Sequence, residues 1–276
     1  MFKGFSRPLL FAHRGASMHA PENTIESFEI AANLGADILE LDVHQAKDGE
    51  VVVIHDARLE RTTNGRGAVH ALTYPELYAL DAGYHFRAEN GDHRFRGRDV
   101  FIPRLEDVLR GFPGVGFNIE LKVGGPSMIR ALGEVLERVG LGDDRILLTA
   151  GDPGIMQALE QANLGCSLGS SSEQVREVLS GCWLGRPPPE SLRGRALQIP
   201  PRWRGLPVAT RRLLQYAHSA GMEVHIWTIN DPSAAQKWLQ RGVDGLMTDD
   251  PTALAGVVID FRGDADPSGR RRLRKV

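Results

Sequence analysis

The chain is poor in cysteine and carries little net charge, and each shortage excludes a class of protein. Its 276 residues include only two cysteines, Cys166 and Cys182, and no Cys-x-x-Cys pair. A disulfide scaffold and a thiolate zinc site are therefore not expected, and we predict two reduced, buried thiols. The net charge of −2 provides no general field that would gather nucleic acid, so we predict no nucleic-acid partner and expect any phosphate binding to be local.

Long apolar runs are also absent. Nothing approaches the roughly 18 apolar residues of a membrane helix, and residues 9–12, the apolar run before His13, are too few for a secretory signal. We therefore predict a cytoplasmic protein without stable membrane insertion. Residues 263–276 include the run Arg-Arg-Arg-Leu-Arg-Lys. We expect a flexible, solvated tail there, with binding to an acidic partner as the alternative.

Short apolar stretches alternate with helical patterns along most of the chain. Residues 9–13 form the first predicted strand, Asn23 or Thr24 caps a helix that runs to Leu34, and residues 38–43 form the next strand. Further strands are predicted at 116–121, 146–149, 164–168, 196–199, 223–229 and 245–247. With 42% hydrophobic residues, this pattern favours a (β/α)8 TIM barrel, a closed parallel barrel in one domain covering residues 1–262.

Two stretches interrupt the alternation. Residues 57–104 are rich in Gly, His and Arg and have no long amphipathic period, so we expect a small insertion over the barrel mouth, after a hairpin in the second strand. Residues 186–189, Arg-Pro-Pro-Pro, predict a stiff loop in which no helix continues. Neither stretch has the character of a linker between independent domains.

Polar side chains follow the apolar runs at several points of the barrel pattern. These are His13 with Arg14, Glu40 with Asp42, His55, and Glu120 with Lys122. Because parallel barrel strands carry their functional residues at their carboxyl ends, we expect these side chains to meet on one face. We expect His225 inside the barrel, and the remaining histidines at the surface or in loops: His19, His44, His70, His85, His93 and His218.

The residues 47–50, Lys-Asp-Gly-Glu, predict a hairpin because Asp-Gly between apolar runs is a strong turn signal. If Asp-Gly forms a two-residue turn, Asp42 lies opposite His55, and cross-strand partners share a face. Glu40 is two residues from Asp42 and points to the same side. The hairpin is therefore expected to bring Glu40, Asp42 and His55 together.

This set of side chains suits a metal-dependent attack on a phosphate ester. Glu40, Asp42 and Glu120 would repel one another unless a cation lies among them, and oxygen ligands suit Mg²⁺ or Ca²⁺. The two histidines could act as general base and general acid, while Arg14 and Lys122 could neutralise the charge of a phosphodiester. The alternative is that Glu120 and Lys122 form only an ion pair and that the other two carboxylates are solvated.

The ordered set of motifs resembles the glycerophosphodiester phosphodiesterase family over most of the chain. The matching stretches are His-Arg-Gly-Ala at 13–16, Pro-Glu-Asn-Thr at 21–24, Glu-Leu-Asp-Val at 40–43, Lys-Asp-Gly at 47–49, His-Asp at 55–56, Ile-Pro at 102–103, Glu-Leu-Lys at 120–122, Trp-Thr-Ile-Asn at 227–230 and Asp-Gly-Leu-Met-Thr-Asp at 244–249. The resemblance implies a (β/α)8 barrel that hydrolyses glycerophosphodiesters to glycerol 3-phosphate and an alcohol, through a cyclic phosphate. Arg104 departs from the pattern, since a small hydroxyl residue commonly follows Ile-Pro.

The resemblance also implies a role for each candidate residue. The implied roles are an acid–base pair (His13 and His55), ligands of one divalent cation, Mg²⁺ or Ca²⁺ (Glu40, Asp42 and Glu120), and phosphate contacts (Arg14 and Lys122). Trp227 would form an apolar wall beside the glycerol or the leaving alcohol. Asn23 would support the catalytic face, and Asp56 is expected to be structural.

Two other functions stay open at this point. One is a lysophospholipase D-like or cyclising phospholipid phosphodiesterase, which would require an apolar channel together with a membrane-facing patch or a secretion signal, and the sequence makes neither requirement evident. The other is a non-catalytic phosphate-binding barrel, which the presence of all the candidate catalytic residues disfavours. The sequence selects neither the alcohol of the small-molecule glycerophosphodiester substrate nor the oligomeric state.

Overall fold

The computed structural model describes residues 1–263, and at its centre eight parallel strands form a nearly closed barrel. The strands are β1 Leu9–His13, β2 Ile38–Gln45, β3 Val51–Val53, β4 Gly116–Leu121, β5 Ile146–Thr149, β6 Ser167–Leu168, β7 Ala196–Ile199, β8 Arg202–Trp203, β9 Leu206–Pro207, β10 Glu223–Ile226 and β11 Gly245–Thr248. The helices are α1 Ile25–Asn33, α2 Tyr74–Tyr78, α3 Leu105–Gly111, α4 Pro126–Val139, α5 Pro153–Ala162, α6 Ser172–Leu184, α7 Arg211–Ser219, α8 Pro232–Arg241 and α9 Pro251–Gly263.

The barrel strands follow the order β6-β5-β4-β2-β1-β11-β10-β7, while β3 pairs only with β2. Within the described residues, no ladder joins β6 to β7, so the barrel is open along that one seam. Strands and helices alternate as expected, and the predicted (β/α)8 TIM barrel is confirmed. All eight carboxyl ends therefore face the same mouth.

The start of α1 fixes the loop that follows β1. The Thr24 side chain accepts a hydrogen bond from Ser27 N, and the Ser27 side chain accepts one from Thr24 N, so the two residues form a capping box. Ser27 Oγ also donates to the carbonyl of Arg14 at 3.0 Å. Gly15 lies against this helix with φ +81°, and an added Cβ would be 2.3 Å from Ser27 Oγ. Gly15 thus allows the chain to turn sharply after β1, in a conformation and a space that a side chain would not fit.

The first eight residues pack against the amino ends of the barrel strands. The Phe2 ring is buried and meets Phe11 edge to face, with 6.0 Å between ring centroids. Arg7 donates to Glu223 Oε1 at 2.6 Å and also to the carbonyls of residues 1, 2 and 5. The segment is therefore tied down by a charge-assisted hydrogen bond as well as by apolar contact.

The hairpin forms, but its predicted register is wrong by one residue. Val43 pairs with Val53, so Asp42 falls opposite Ile54 rather than His55. The amide of Ala46 donates to the carbonyl of Glu50 at 2.9 Å, which leaves a three-residue loop with Gly49 at φ +93°. A three-residue loop that ends in a left-handed glycine shifts the pairing by one position relative to a two-residue turn.

Three further expectations need correction. The strand predicted at 164–168 is reduced to Ser167–Leu168, and the strand predicted at 223–229 ends at Ile226. His44, expected at the surface, is only 4% exposed because it lies on β2 under the chain that carries His55, and its Nε2 contacts the His55 carbonyl at 3.0 Å. His225 is fully buried inside the barrel, as expected.

Residues 57–104 contain a short 3-10 helix, Val69–Ala71, and α2. Their apolar side chains form a separate small core with β3, centred on Val52, Leu59 and Leu77. The guanidinium of Arg94 donates to the carbonyl of His19, which joins this segment to the loop after β1. The assignment of 57–104 as an insertion remains a prediction, and this contact agrees with it.

The other sequence-based expectations concern sulfur, the membrane and the tail. Cys182 is buried and Cys166 is half-buried, and they are not joined in a disulfide. Among residues 1–263, none of the helices combines the length and the apolar character that crossing a bilayer requires. Gly263 ends α9, and the rest of the predicted tail lies outside the described residues.

Candidate active site

The strand register brings the predicted site residues together. On adjacent strands His13 pairs with Glu40, and Asp42 pairs with Glu120. The carboxylates of Glu40, Asp42 and Glu120 each offer an oxygen that lies within 4.8 Å of the others. This cluster comes from β2 and β4 and lies at the barrel mouth, beside His13 at the end of β1.

The three carboxylates differ in burial and in charge environment. Glu40 and Asp42 are 2% and 1% exposed, whereas Glu120 is half-buried. Burial and the neighbouring negative charge of Asp42 raise the pKa of Glu40 to about 8. Burial would also raise the pKa of Asp42, but the positive charges of Lys122 and Arg14 outweigh burial and hold that pKa below its ordinary value.

The donor set fits a hard divalent cation. All three side chains offer oxygen, and the buried Oδ1 of Asp42 has no hydrogen bond, although Lys122 Nζ lies 2.9 Å away as an ion-pair partner. Burying a carboxylate oxygen without a hydrogen bond costs free energy unless a cation or a donor lies against that oxygen. The cluster of Glu40, Asp42 and Glu120 could therefore hold Mg²⁺ or Ca²⁺.

His13 is held by a carboxylate at the end of the last barrel strand. Its Nδ1 lies 2.6 Å from Asp249 Oδ1, and Asp249 is further held by Ser17 Oγ at 3.2 Å and Asn230 Nδ2 at 2.9 Å. Burial would lower the pKa of His13, but the hydrogen bond to Asp249 and the negative charge of Glu40 outweigh burial and raise it. With Nδ1 engaged, Nε2 is the nitrogen left for proton transfer.

His55 is held in the same manner from the opposite side. The hairpin register differs from the predicted one, but β3 ends at Val53, before His55. His55 still lies close to Asp42, and the positive charge of its imidazole helps to lower the pKa of the Asp42 carboxyl. Its Nδ1 lies 2.6 Å from Asp56 Oδ1, and Asp56 Oδ2 accepts from Arg61 Nε at 2.5 Å. The hydrogen bonds from Arg61 and His55 lower the pKa of Asp56 to about 2, so this carboxylate stays charged.

Alternating positive and negative side chains connect the His55 side of the site to the carboxylate cluster. Arg61 donates to both oxygens of Glu22 at 2.7 Å, and Glu22 Oε1 also accepts from Arg14 Nη1 at 3.0 Å. Arg14 Nε lies 3.2 Å from Asp42 Oδ2, and the Arg14 amide donates to Glu40 Oε2 at 2.9 Å. Burial would raise the pKa of Glu22, but Arg61 and Arg14 lower it, so the chain keeps its charges.

Lys122 and Asn23 both contact Asp42. Lys122 Nζ lies 2.9 Å from Asp42 Oδ1 and from Glu120 Oε1. Burial would lower the pKa of Lys122, but these two carboxylates outweigh burial and raise it, so the side chain stays cationic. Asn23 Nδ2 donates to Asp42 Oδ2 at 2.8 Å, and Asn23 Oδ1 accepts from the Asp42 amide at 3.2 Å. Because both ends of the Asn23 amide are engaged by Asp42, Asn23 does not cap α1, and Thr24 is the capping residue.

Trp227 lies farther away along the rim of the mouth. It follows β10, which is separated from β1 by β11, and its amide donates to the carbonyl of Ile199 at 3.2 Å. The side chain is 37% exposed. It therefore stands at the mouth, on the side of the barrel opposite to β4.

No pattern in the sequence assigned a role to Asp249, Glu22 or Arg61. Asp249 directly follows β11, the neighbour of β1, so the rule of strand ends that selected His13 could have selected it too. Arg61 reaches the site from a segment without periodicity, and no sequence signal marks it. Asp56, expected to be structural, orients His55.

Comparison with known proteins identifies the family of the chain. A model of the Glycerophosphoryl diester phosphodiesterase family matches residues 13–253. The chain belongs to this family. The resemblance drawn from the motifs is thus confirmed, and the enzyme class is glycerophosphodiester phosphodiesterase.

Individual relatives match this chain over nearly its whole length. The glycerophosphodiester phosphodiesterase of Caldanaerobacter subterraneus is 32% identical over 257 residues, which span 91% of this chain and 98% of the relative. A phosphodiesterase of Oleispira antarctica, solved in complex with the product sn-glycerol-3-phosphate, superposes with a TM-score of 0.73 at 28% identity, covering 92% of this chain and 97% of that one. Lysophospholipase D GDPD1 of Homo sapiens is 28% identical, covering 91% of this chain and 86% of the relative.

Proposed function

We propose that this phosphodiesterase cleaves glycerophosphodiesters with His13 and His55 as its acid–base pair, beside a divalent cation held by Glu40, Asp42 and Glu120. The observation that carries the proposal is the matched arrangement of the imidazoles. Each is bonded through Nδ1 to a carboxylate, with His13 next to Glu40 and His55 next to Asp42. Two imidazoles that flank one carboxylate cluster can remove one proton and supply another across a bound phosphate.

The reaction proceeds in two transfers at phosphorus. One imidazole takes the proton of the glycerol hydroxyl next to the ester, that oxygen attacks phosphorus, and the other imidazole protonates the departing alcohol oxygen. A cyclic phosphate results. In the second transfer the imidazoles exchange roles, water adds to phosphorus, and the ring opens to glycerol 3-phosphate. A bound Mg²⁺ or Ca²⁺ would neutralise charge on the phosphate oxygens during both transfers.

The remaining residues bind and orient. Lys122 stays cationic between Asp42 and Glu120 and is available to a phosphate oxygen. Arg14 extends the positive charge on the side of β1, held by Glu22. Asn23 fixes the orientation of Asp42 through two hydrogen bonds, and Trp227 offers an apolar wall at the rim. The substrate is a small molecule, and a cytoplasmic location remains a prediction.

Phosphorus NMR with glycerophosphocholine tests the proposal. With Mg²⁺ or Ca²⁺ we expect a phosphomonoester signal that a chelator abolishes. His13→Ala and His55→Ala should each remove nearly all turnover while metal binding persists, whereas Glu120→Ala should weaken metal binding. His19→Ala is the control, because His19 bonds Asp250 rather than the carboxylate cluster. Near-normal turnover in either of the first two variants would refute the acid–base assignment.

A lysophospholipase D activity is the second candidate, favoured by the likeness to the human protein of that name. The same NMR assay with lysophosphatidylcholine separates the two. Choline release from that lipid at a rate comparable to release from glycerophosphocholine would support the broader substrate range. Accumulation of a cyclic phosphate that does not open would instead indicate the cyclising class.

A further inference from the structure

The loop after β7 forms an exposed hairpin with an apolar pair on it. Strands β8 and β9 and the two-residue turn between them form residues 202–207, called here the 202–207 hairpin, and all six residues are exposed. Trp203 pairs with Leu206 across the two strands, and these side chains are 62% and 71% exposed. Cross-strand partners lie side by side on one face, so the hairpin presents an indole and an isobutyl group together to solvent.

This hairpin is braced rather than loose. The turn residues Arg204 and Gly205 both have positive φ, +48° and +82°, which matches the twist of a two-residue hairpin. Arg202 Nε and Nη2 donate to the carbonyl of Gly205 at 3.1 and 2.7 Å. The backbone therefore holds the apolar pair in a fixed position without any covering element.

Unpaired positive charge surrounds the apolar pair. Residues 191–222 contain six arginines and no aspartate or glutamate. Arg193 and Arg195 pair with glutamates outside that stretch. Among the side chains that the structure describes, no carboxylate forms a salt bridge with Arg202 or Arg204 of the hairpin, and both residues are exposed. The surface around Trp203 and Leu206 thus has the charge complementary to an anionic partner.

The hairpin belongs to the rim of the active-site mouth. It begins three residues after Ile199, the carboxyl end of β7, and the amide of Trp227 donates to the carbonyl of Ile199. Trp227 and Met18 add side chains that are 37% and 36% exposed, and the Met18 amide bonds to the carbonyl of Asp249. Exposed apolar groups therefore follow β7, β10 and β1 around the opening that leads to the carboxylate cluster.

We infer that the 202–207 hairpin docks the barrel mouth onto an anionic lipid surface. The indole of Trp203 suits the headgroup region, Leu206 can enter the outer acyl region, and Arg202 and Arg204 can contact lipid phosphates. The sequence made no membrane-facing patch evident because two apolar residues in a six-residue hairpin create no periodic pattern. The inference does not depend on the proposed catalytic roles, since docking is measured without turnover.

Co-sedimentation of the full-length protein with vesicles tests this inference. One set contains phosphatidylcholine alone and the other includes about 30% phosphatidylglycerol. We expect binding to the anionic set that weakens as salt is added. The double variant W203A/L206A should bind at least about tenfold less, and R204Q about fivefold less.

The control is Y78A/I259A, which removes another exposed aromatic and aliphatic pair, on α2 and α9, at 46% and 55% exposure. It should bind as the wild type does. The basic run near the carboxyl terminus is present in every variant, so its contribution cancels. Turnover of soluble glycerophosphocholine should be the same in W203A/L206A as in the wild type, because the hairpin lies outside the catalytic set.

Four outcomes would overturn the inference. The first is no sedimentation with anionic vesicles at low salt. The second is equal sedimentation of W203A/L206A and the wild type, which would assign binding to another basic segment. The third is loss of soluble turnover in W203A/L206A, which would make the hairpin part of substrate binding. The fourth is a dimer in light scattering that only W203A/L206A abolishes, which would make the hairpin a contact between copies of this chain.

Discussion

Replacing Asp249 with asparagine tests how His13 is held. Asp249 Oδ1 lies 2.6 Å from His13 Nδ1, and Oδ2 accepts from Asn230 Nδ2 at 2.9 Å. An asparagine side chain has nearly the same volume but only one oxygen, so either His13 or Asn230 must face an NH₂ group. The substitution therefore removes a charge and one acceptor while it leaves the packing in place.

The magnitude follows from the groups that act on His13. Burial lowers its pKa, and the hydrogen bond to Asp249 is the largest opposing contribution. A hydrogen bond to a charged group is worth about 1.5–3 kcal/mol, and the amide of an asparagine replaces it with a weaker, neutral contact. We therefore expect Asp249→Asn to lower the pKa of His13, because the contribution that most strongly opposes burial is weakened. Turnover should fall by about 10²- to 10⁴-fold, because the imidazole also loses its fixed tautomer and orientation.

The assay is the pH dependence of kcat and kcat/KM for glycerophosphocholine, with the metal saturating and equal in every sample. The limb of the profile that reports His13 should move to lower pH in Asp249→Asn. Asp250→Asn is the matched control, because Asp250 Oδ1 contacts His19 Nε2 at 2.8 Å and the Ala253 amide at 3.1 Å. An asparagine can keep that oxygen as an acceptor, so the control should stay near wild-type turnover.

Two results would contradict this reasoning. Turnover of Asp249→Asn within about threefold of the wild type, with both limbs unmoved, would mean that the carboxylate does not tune His13. An equal loss in Asp250→Asn would mean that the loop after β11 is sensitive to any change of charge. Circular dichroism of both variants separates either result from a failure to fold.

The remaining predictions concern metal binding and stability. Burial and a neighbouring carboxylate raise the pKa of Glu40 to about 8, so a metal ion must displace a proton below that pH. Metal affinity should therefore rise about tenfold per pH unit up to about pH 8. Calorimetry in buffers of different ionisation enthalpy should detect the released proton. Arg7→Ala should lower the free energy of unfolding, measured by urea denaturation, by about 1–3 kcal/mol, because the half-buried Glu223 carboxylate and three carbonyls lose their donor. The control is Arg193→Ala, at an exposed ion pair, which should change the free energy of unfolding by less than about 0.5 kcal/mol. Gly15→Ala should cost at least about 2 kcal/mol more than Gly35→Ala, because both glycines have similar positive φ, +81° and +83°, but only the first added Cβ meets other atoms; equal midpoints in urea would contradict this.

The strand-end rule located most of the site from sequence because a parallel barrel leaves little freedom there. Once β1, β2 and β4 are neighbours in register, His13 must lie beside Glu40, and Asp42 beside Glu120. Alternation along β2 then turns Glu40 and Asp42 to one side. The carboxylate cluster is thus a consequence of local patterning and topology, both of which the sequence displays.

The hairpin register could not be derived with the same security. An Asp-Gly pair is compatible with a two-residue turn and with a three-residue loop that ends in a left-handed glycine. The choice depends on whether Ala46 pairs with Glu50, a difference of one hydrogen bond. His55 nevertheless reaches the site because β3 ends at Val53 and the chain beyond it is free of the alternation that a one-residue shift would invert.

The groups that hold the imidazoles come from parts of the chain that meet only in the folded barrel. Asp249 is 236 residues from His13 and contacts it because β11 closes the barrel against β1. Arg61 joins Asp56 to Glu22, so His55 is tied to the loop after β1 as well as to its own strand. The pairing of β11 with β1 thus orients His13, and the segment after the hairpin orients His55. Because Glu22 also bonds Arg14, any displacement of that segment acts on His55 and on Arg14 together.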